Sequence, residues 1–361
     1  MASTNNNNQS ERTLYYDYLR LLATFAVMLA HVASSKLLNI DVNRSDWGVL
    51  NFYDSICRWS VPAFVMISGA LLLGRDIELS KIYKKYIPRM VVAFIVWSVL
   101  YYIFAEANIW GQITGLFGAG KFDRLITILT GHYHMWYIPM LVGIYICIPI
   151  IRQIIMNEKI GRYFLLVAFV FWSVIPFFVR LIRDFAPEKV KTIVYTINGN
   201  VEAMEIGLVM GYTFYFILGY YLSRTDFTRL QRIIIYIAGL GGFAFTAFAN
   251  RILALRAQMP ITDYYKDSYI NVMLPAVALF VLFKNIQFKK TKLIGILSKA
   301  SFGAYLSHAM AIELLDYWVG LNTLSFNPWI AAPVTAVVVF ICAFTVSIII
   351  GKIPIVKDYV V

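Results

Sequence analysis

The sequence predicts an all-α fold, a polytopic membrane helix bundle, and three observations carry that prediction. Of the 361 residues, 60% are hydrophobic and 16% aromatic, with only 14% charged, where soluble domains carry about 25% charged residues. Apolar runs long enough to cross a bilayer recur along the whole chain. Basic residues gather in alternate connections, as cytoplasmic loops do.

Ten candidate spans follow in order. A polar stretch, residues 1–13 with the run Asn5–Asn8, has the composition of a disordered tail. The first span, 14–38, is too long for a cleavable signal peptide and contains Arg20. The second, 52–74, carries Pro62, which removes a backbone donor and kinks the helix. The third covers 90–108. The fourth, fifth and sixth, 135–151, 163–179 and 206–222, are uncharged. The seventh, 233–250, holds Gly239, Gly241 and Gly242, which match no nucleotide-binding fingerprint. The eighth, 269–283, is short. The ninth, 301–319, carries His308, and the tenth, 329–350, precedes a tail over 351–361.

Ten spans put both termini on one side. Loops 75–89, 152–162, 223–232 and 284–292, with the two tails, hold about 18 Lys and Arg against about 10 in the other loops, so both termini are expected to be cytoplasmic. Arg180, Arg183, Lys189 and Lys191 run against that tally. The net charge of +12 is spread over short loops, which suits anionic membrane lipid and argues against nucleic acid as a partner. No loop exceeds about 30 residues, so one transmembrane domain over 14–350 is expected. Cys57, Cys147 and Cys342 fall in predicted helices without Cys-x-x-Cys spacing, which supports neither a disulfide framework nor a thiolate metal site.

Function is read from polar residues inside these spans. Ionisable groups there cost roughly 2.5–3.5 kcal/mol each, and they normally face a bundle interior, a water-filled cavity or a substrate. Arg20 and His31 are eleven residues apart, which puts them on one helix face about 16 Å apart. Asp17 extends that stripe one turn before Arg20. By depth, Arg58 is expected near His31, and Ser68 near Arg20, giving two polar floors. Snorkelling to headgroups is the alternative for Arg58, and small-residue helix packing is the alternative for Ser68-Gly69. The stretch Gly131-His132-Tyr133-His134-Met135-Trp136-Tyr137 reads as an interfacial aromatic belt or a substrate contact. No companion ligand spacing supports a metal there, and none is expected. His308, with Tyr305 three residues before it, is as readily a packing residue as a functional one. The clusters Lys81, Lys84, Lys85, Arg89 and Lys289, Lys290, Lys292 could grip phosphates or simply set topology.

Together these residues resemble the acyltransferase-3 family of bacterial integral-membrane acyltransferases, in particular its stand-alone branch that O-acetylates cell-surface glycans. The similarity runs from Tyr16 to about Ile350. It rests on the Arg20-x10-His31 signature within Asp17-Tyr18-Leu19-Arg20, and on Ser60-Val-Pro62-x-Phe64-x-x-x-Ser68-Gly69 preceded by Arg58. Lys84-Lys85-Tyr-Ile-Pro-Arg89, His134-Met-Trp136-Tyr137 and Ser301-Phe-Gly-x-Tyr305-x-x-His308 follow in family order. Ala63 departs from the bulkier residue usual in relatives. No appended extracellular esterase-like domain is read in the chain, so transfer is expected to finish in the membrane portion or on a partner.

The resemblance implies acetyl-CoA as donor substrate, a glycan or lipid-linked saccharide hydroxyl as acceptor, membrane lipid as surroundings, and a bacterial cytoplasmic membrane location. It assigns His31, Arg20 and Arg58 to catalysis, with His31 as base or transient acyl carrier. Lys84, Lys85, Arg89 and Ser68 are expected to hold the donor. His134, Trp136, Tyr137, Tyr305, His308 and Asp17 are expected on the acceptor path. The chemistry is consistent, because acyl transfer to an alcohol needs a base and a group that holds the developing oxyanion, and a neutral imidazole suits the base role near pH 7. The competing reading is a proton- or anion-coupled transporter or flippase using the same buried Arg and His residues as its pathway.

Overall fold

A computed structural model describes residues 2–75, 77–106 and 121–354, with side chains described from Leu14 onward except 106, 121–124 and 208. The expected tail at 1–13 and the end of the tail at 351–361 therefore lie outside the described side chains. Among the described residues every regular element is helical. In chain order the helices are α1 Ala2–Leu37, α2 Ser45–Cys57, α3 Ser60–Leu72, α4 Ile87–Glu106, α5 Lys121–Thr130, α6 Tyr137–Ile146, α7 Ile148–Met156 and α8 Glu158–Ala168. They continue as α9 Ile175–Phe185, α10 Glu188–Glu202, α11 Thr213–Arg224, α12 Arg229–Ala257, α13 Ile270–Lys284, α14 Lys292–Leu314 and α15 Pro328–Ile350.

By length and composition, seven helical stretches are able to cross a membrane, or eight if the broken pair over 133–156 is one span. Two of the ten expected spans fall outside that set. The apolar run 206–222 does not form one helix. Met210 and Gly211 interrupt it, Gly211 at φ +94°, and α11 that follows has only 12 residues. The run 301–319 starts within α14 and ends in the π-helical turn Leu315–Val319, and α14 is 23 residues long but carries Lys292, Lys299, His308 and Glu313. The fourth span is interrupted at Cys147, between α6 and α7.

The chain divides into two compact units. Unit 1 comprises Met1–Leu19, Ile40–Arg75 and Ile148–Phe288, and unit 2 comprises Arg20–Asn39, Asp76–Cys147 and Lys289–Val361.

In unit 1, small residues bring helices close enough for their backbones to touch. A Cβ on Gly69 of α3 would lie 1.8 Å from the Phe216 carbonyl oxygen of α11, and one on Gly219 would lie 2.0 Å from that of Met66. Gly239 and Gly242 serve the α12–α13 contact likewise, each meeting a neighbouring atom at 2.5 Å. Polar side chains join the same helices: Asn271 donates to Thr246 Oγ1 and to the Tyr264 carbonyl, both at 2.8 Å, and Tyr265 donates to Asn51 Oδ1 at 2.7 Å.

Unit 2 is built around α4, the 3₁₀ turn Tyr133–Trp136, α6 and α14. Met90, Trp97, Tyr101, Met135, Ile138 and Leu306 form its buried core. Helix α15 covers another side of α14, where Ser347 donates to the Ala300 carbonyl at 2.7 Å. The Arg20–Leu37 portion of α1 follows α14 in the same direction. Its Arg20 and His31 meet Ser298 and His308, steps of eleven and ten residues whose nearly equal rises keep the two pairs in register, and Lys36 reaches Asp316 in the turn after α14.

Candidate active site

The chain has four histidines, and unit 2 gathers all of them. His31 comes from α1, His132 and His134 from the segment leading into α6, and His308 from α14. Ring centroids lie 5.2 Å apart for His31 and His308, 4.8 Å for His134 and His308, and 6.5 Å for His31 and His134. Tyr133 stands edge-on to His31 at 5.4 Å. His134 and His308 are buried while His31 and His132 remain partly exposed, so His31 and His132 are the cluster's accessible rings.

Hydrogen bonds fix where the protons of this cluster reside. His308 Nδ1 lies against the Tyr305 carbonyl at 2.5 Å. A carbonyl only accepts, so Nδ1 carries the hydrogen and, in a neutral ring, Nε2 keeps its lone pair. His132 Nε2 faces Glu313 Oε1 at 3.1 Å, and its Nδ1 faces His134 Nδ1 at 2.9 Å. The ring of Tyr101 stacks on His132 at 4.2 Å with an 11° interplanar angle. Tyr101 also donates to the Leu306 carbonyl at 2.8 Å and accepts from the Met310 amide, which anchors the stack to α14. Tyr305 donates to the His134 carbonyl at 2.5 Å. Nε2 of both His134 and His308 is buried without a hydrogen-bond partner among the described residues. Buried polar atoms rarely stay unpaired unless something else meets them.

The other end of the α14 face is basic. Arg20 donates to Ser298 Oγ at 3.1 Å, and the Arg89 guanidinium lies over the Phe302 ring at 5.8 Å. Ser298, Phe302, Tyr305 and His308 succeed one another at helical spacing, which separates the arginine end from the histidine end by about 15 Å. Lys84 and Lys85 are exposed on the π-helical turn Ile82–Tyr86 that leads into α4. Among the described residues no group of three or more His, Cys, Asp or Glu side chains is arranged to hold a metal ion.

Within unit 2 each end of the Arg20–His31 stripe has its own partners. His308 and His134 accompany His31, and Ser298 accompanies Arg20. Arg58 belongs to unit 1, where it pairs with the fully buried Asp54 and lies 4.1 Å from the centroid of the Tyr265 ring. Burial explains this commitment, because a guanidinium removed from water takes the nearest carboxylate. Ser68 also belongs to unit 1, and its hydroxyl donates to the Phe64 carbonyl one turn back at 2.9 Å. Arg20 and His31 are separated by about 16 Å of continuous helix, so a single carbonyl does not meet both. Asp17 is half-buried one turn before Arg20. Tyr137 stands edge-on to Tyr305 at 5.7 Å, and Trp136 is 44% exposed.

His132, Tyr133, Tyr101, Glu313 and Ser298 were not singled out as site residues by the sequence. His132 and Tyr133 lay inside a motif read mainly for His134. Glu313 carried the strongest signal, an acid five residues after His308 on one helix. Unit 1 has its own groove of about 850 Å³, where Trp172, Tyr195 and Tyr269 stand among Arg183, Asn198 and Glu202.

Residues 13–352 match the family model described as an acyltransferase domain, that of the acyltransferase-3 family, and the chain belongs to that family. No curated protein and no solved structure matches it.

Proposed function

We propose that this membrane acyltransferase moves an acetyl or other short acyl group from cytoplasmic acyl-CoA to a hydroxyl of a cell-surface or lipid-linked glycan, working in a bacterial cytoplasmic membrane. The observation that carries the reading is the convergence of His31 with the three other histidines on a helix face whose far end is lined by Arg20 and Arg89. Guanidinium groups suit the phosphates of a nucleotide thioester, and Lys84 and Lys85 extend that positive region on the exposed turn. The acyl arm then runs along α14 towards the imidazoles.

There His31 takes the proton of the acceptor hydroxyl, the hydroxyl oxygen bonds to the thioester carbonyl carbon, and the carbon–sulfur bond breaks. The proton returns to the departing thiolate. The positive charge gained by the histidine cluster stabilises the negative charge that develops on the carbonyl oxygen. An N-acylated His31 intermediate would use the same residues. For the acceptor, Trp136, Tyr137 and Tyr305, which follow one another beside His134, give flat apolar surface with hydroxyl groups of the kind saccharides need. Arg58, neutralised by Asp54, has a structural role in this scheme.

The test uses the purified protein in lipid with radiolabelled acetyl-CoA and a membrane extract as acceptor pool. Label moving into a glycan or lipid fraction is the expected result. Failure of acetyl-CoA to bind or turn over would favour the transporter reading, and solute flux would then be measured.

A further inference from the structure

The contact between Glu313, His132 and His134 has a direction. His132 Nε2 lies 3.1 Å from Glu313 Oε1, and because a carboxylate only accepts, the tautomer this contact favours carries its hydrogen on Nε2. With His132 neutral in that tautomer its Nδ1 is bare, and the 2.9 Å contact between the two Nδ1 atoms is then donated by His134. That leaves the lone pair of His134 on Nε2. This atom is buried and unpartnered among the described residues, in a ring surrounded by His31, His308, Tyr101, Tyr133 and Tyr305. His308 reaches the same tautomer by a separate route, through the Tyr305 carbonyl.

We infer that Glu313 and His132 are positioning residues that act through His134, and that the three side chains form a proton relay serving the histidine cluster. The inference rests on the acyl-transfer reading for the source of its proton. A proton released when the acceptor hydroxyl attacks arrives from His31 at Nε2 of His134. There one N–H bond forms at Nε2 while the N–H bond at Nδ1 breaks, and that second proton binds Nδ1 of His132. The resulting imidazolium keeps its Nε2–H on Glu313, whose negative charge holds it, and its ring lies under Tyr101, a cation–π contact. The reverse sequence returns the proton to the thiolate of CoA. No oxidant or additional reactant enters. Without the relay, His31 would hold the proton alone throughout the displacement.

The decisive substitution is Glu313→Gln, which keeps the shape but removes the charge and adds an amide able to donate as well as accept. Two readouts are taken on full-length protein in lipid. In the first, imidazole nitrogen NMR on histidine-labelled protein reads the tautomers of only four rings. The expected wild-type result is Nδ1–H on both His134 and His308. The expected E313Q result is mixed tautomers at His132 and His134 with His308 unchanged, the latter also reporting an intact fold. An Nε2–H tautomer at His134 in wild type, or spectra indifferent to E313Q, would overturn the relay.

In the second readout, E313Q lowers kcat for acetyl transfer roughly tenfold or more and leaves KM for acetyl-CoA within about twofold. Glu313→Asp recovers most of the loss. A kcat unchanged in E313Q, or a parallel loss of donor binding, would contradict the relay. Absence of acetyl transfer in wild type would instead count against the acyl-CoA reading, while the tautomers still decide the hydrogen-bonded chain.

Discussion

Both units of this protein bury polar side chains, and they handle the cost differently. In unit 1 several buried charges meet opposite charges. Arg58 meets Asp54, and Arg180 meets both Asp184 and Asp263 at 2.5 Å. Tyr212 donates to Asp267 at 2.6 Å, a further bond inside the same unit. Such groups hold helices together and are poorly placed to take part in chemistry, because each charge already has a partner. In unit 2 the imidazoles contact one another, and two ring nitrogens are left buried and unpartnered among the described residues. The difference teaches that buried charge alone does not mark a reactive centre in a membrane protein. Among the described residues, unpartnered buried atoms occur in both units, Asp54 Oδ1 and Arg58 Nε among them, so the more discriminating sign is imidazole nitrogens able to exchange a proton, gathered beside an accessible ring.

Substitutions can break this comparison, beginning with the largest effect. His31→Ala should lower acyl transfer by roughly 100-fold or more with little change in thermal unfolding, because His31 is partly exposed. Asp54→Ala should do the converse. Removing one member of a buried pair costs about 3–5 kcal/mol, so the protein should melt earlier or accumulate less, while transfer per folded molecule persists. If D54A abolished turnover in folded protein and H31A did not, the roles given to the two units would be exchanged.

Arg89→Ala sharpens the account of the basic end. It should raise KM for acetyl-CoA about tenfold, equivalent to about 1.4 kcal/mol, and lower kcat by less. A fall in kcat with KM unchanged would make Arg89 a packing partner of Phe302 rather than a donor contact. The smallest effect is expected for Tyr305→Phe, which removes one hydrogen bond to the His134 carbonyl. Its cost is about 0.5–1.5 kcal/mol, read as a fall of a few fold in kcat at unchanged KM.

The local part of this site was legible in the sequence. Helical spacing sets Arg20 and His31 on one face, and the order of short motifs marked His134, Tyr305 and His308. The partners were not legible, because they come from contacts across long sequence separations. Arg20 and Ser298 are 278 residues apart, and no periodicity in α1 says that α14 lies alongside it in the same direction. Depth counting therefore paired Arg20 with Ser68 and His31 with Arg58, a reasonable outcome of placing consecutive spans side by side. Arg58 instead found Asp54 four residues away on its own stretch of chain, a pairing that i,i+4 spacing could have shown. The expected ten spans and the seven or eight helical stretches long and apolar enough to cross a membrane differ for a related reason. Apolar composition measures length, but Gly211 ends the helical path inside the run 206–222 without making it less apolar.

The central claim is that the histidine cluster of unit 2 is where the acyl group changes hands. Its most direct test is single-turnover transfer from labelled acetyl-CoA by wild type and H31A, each reconstituted in lipid at equal amounts of folded protein. The account predicts rapid loss of label from the thioester with wild type and a rate lower by roughly 100-fold or more with H31A. Transfer by H31A within about threefold of wild type would contradict it.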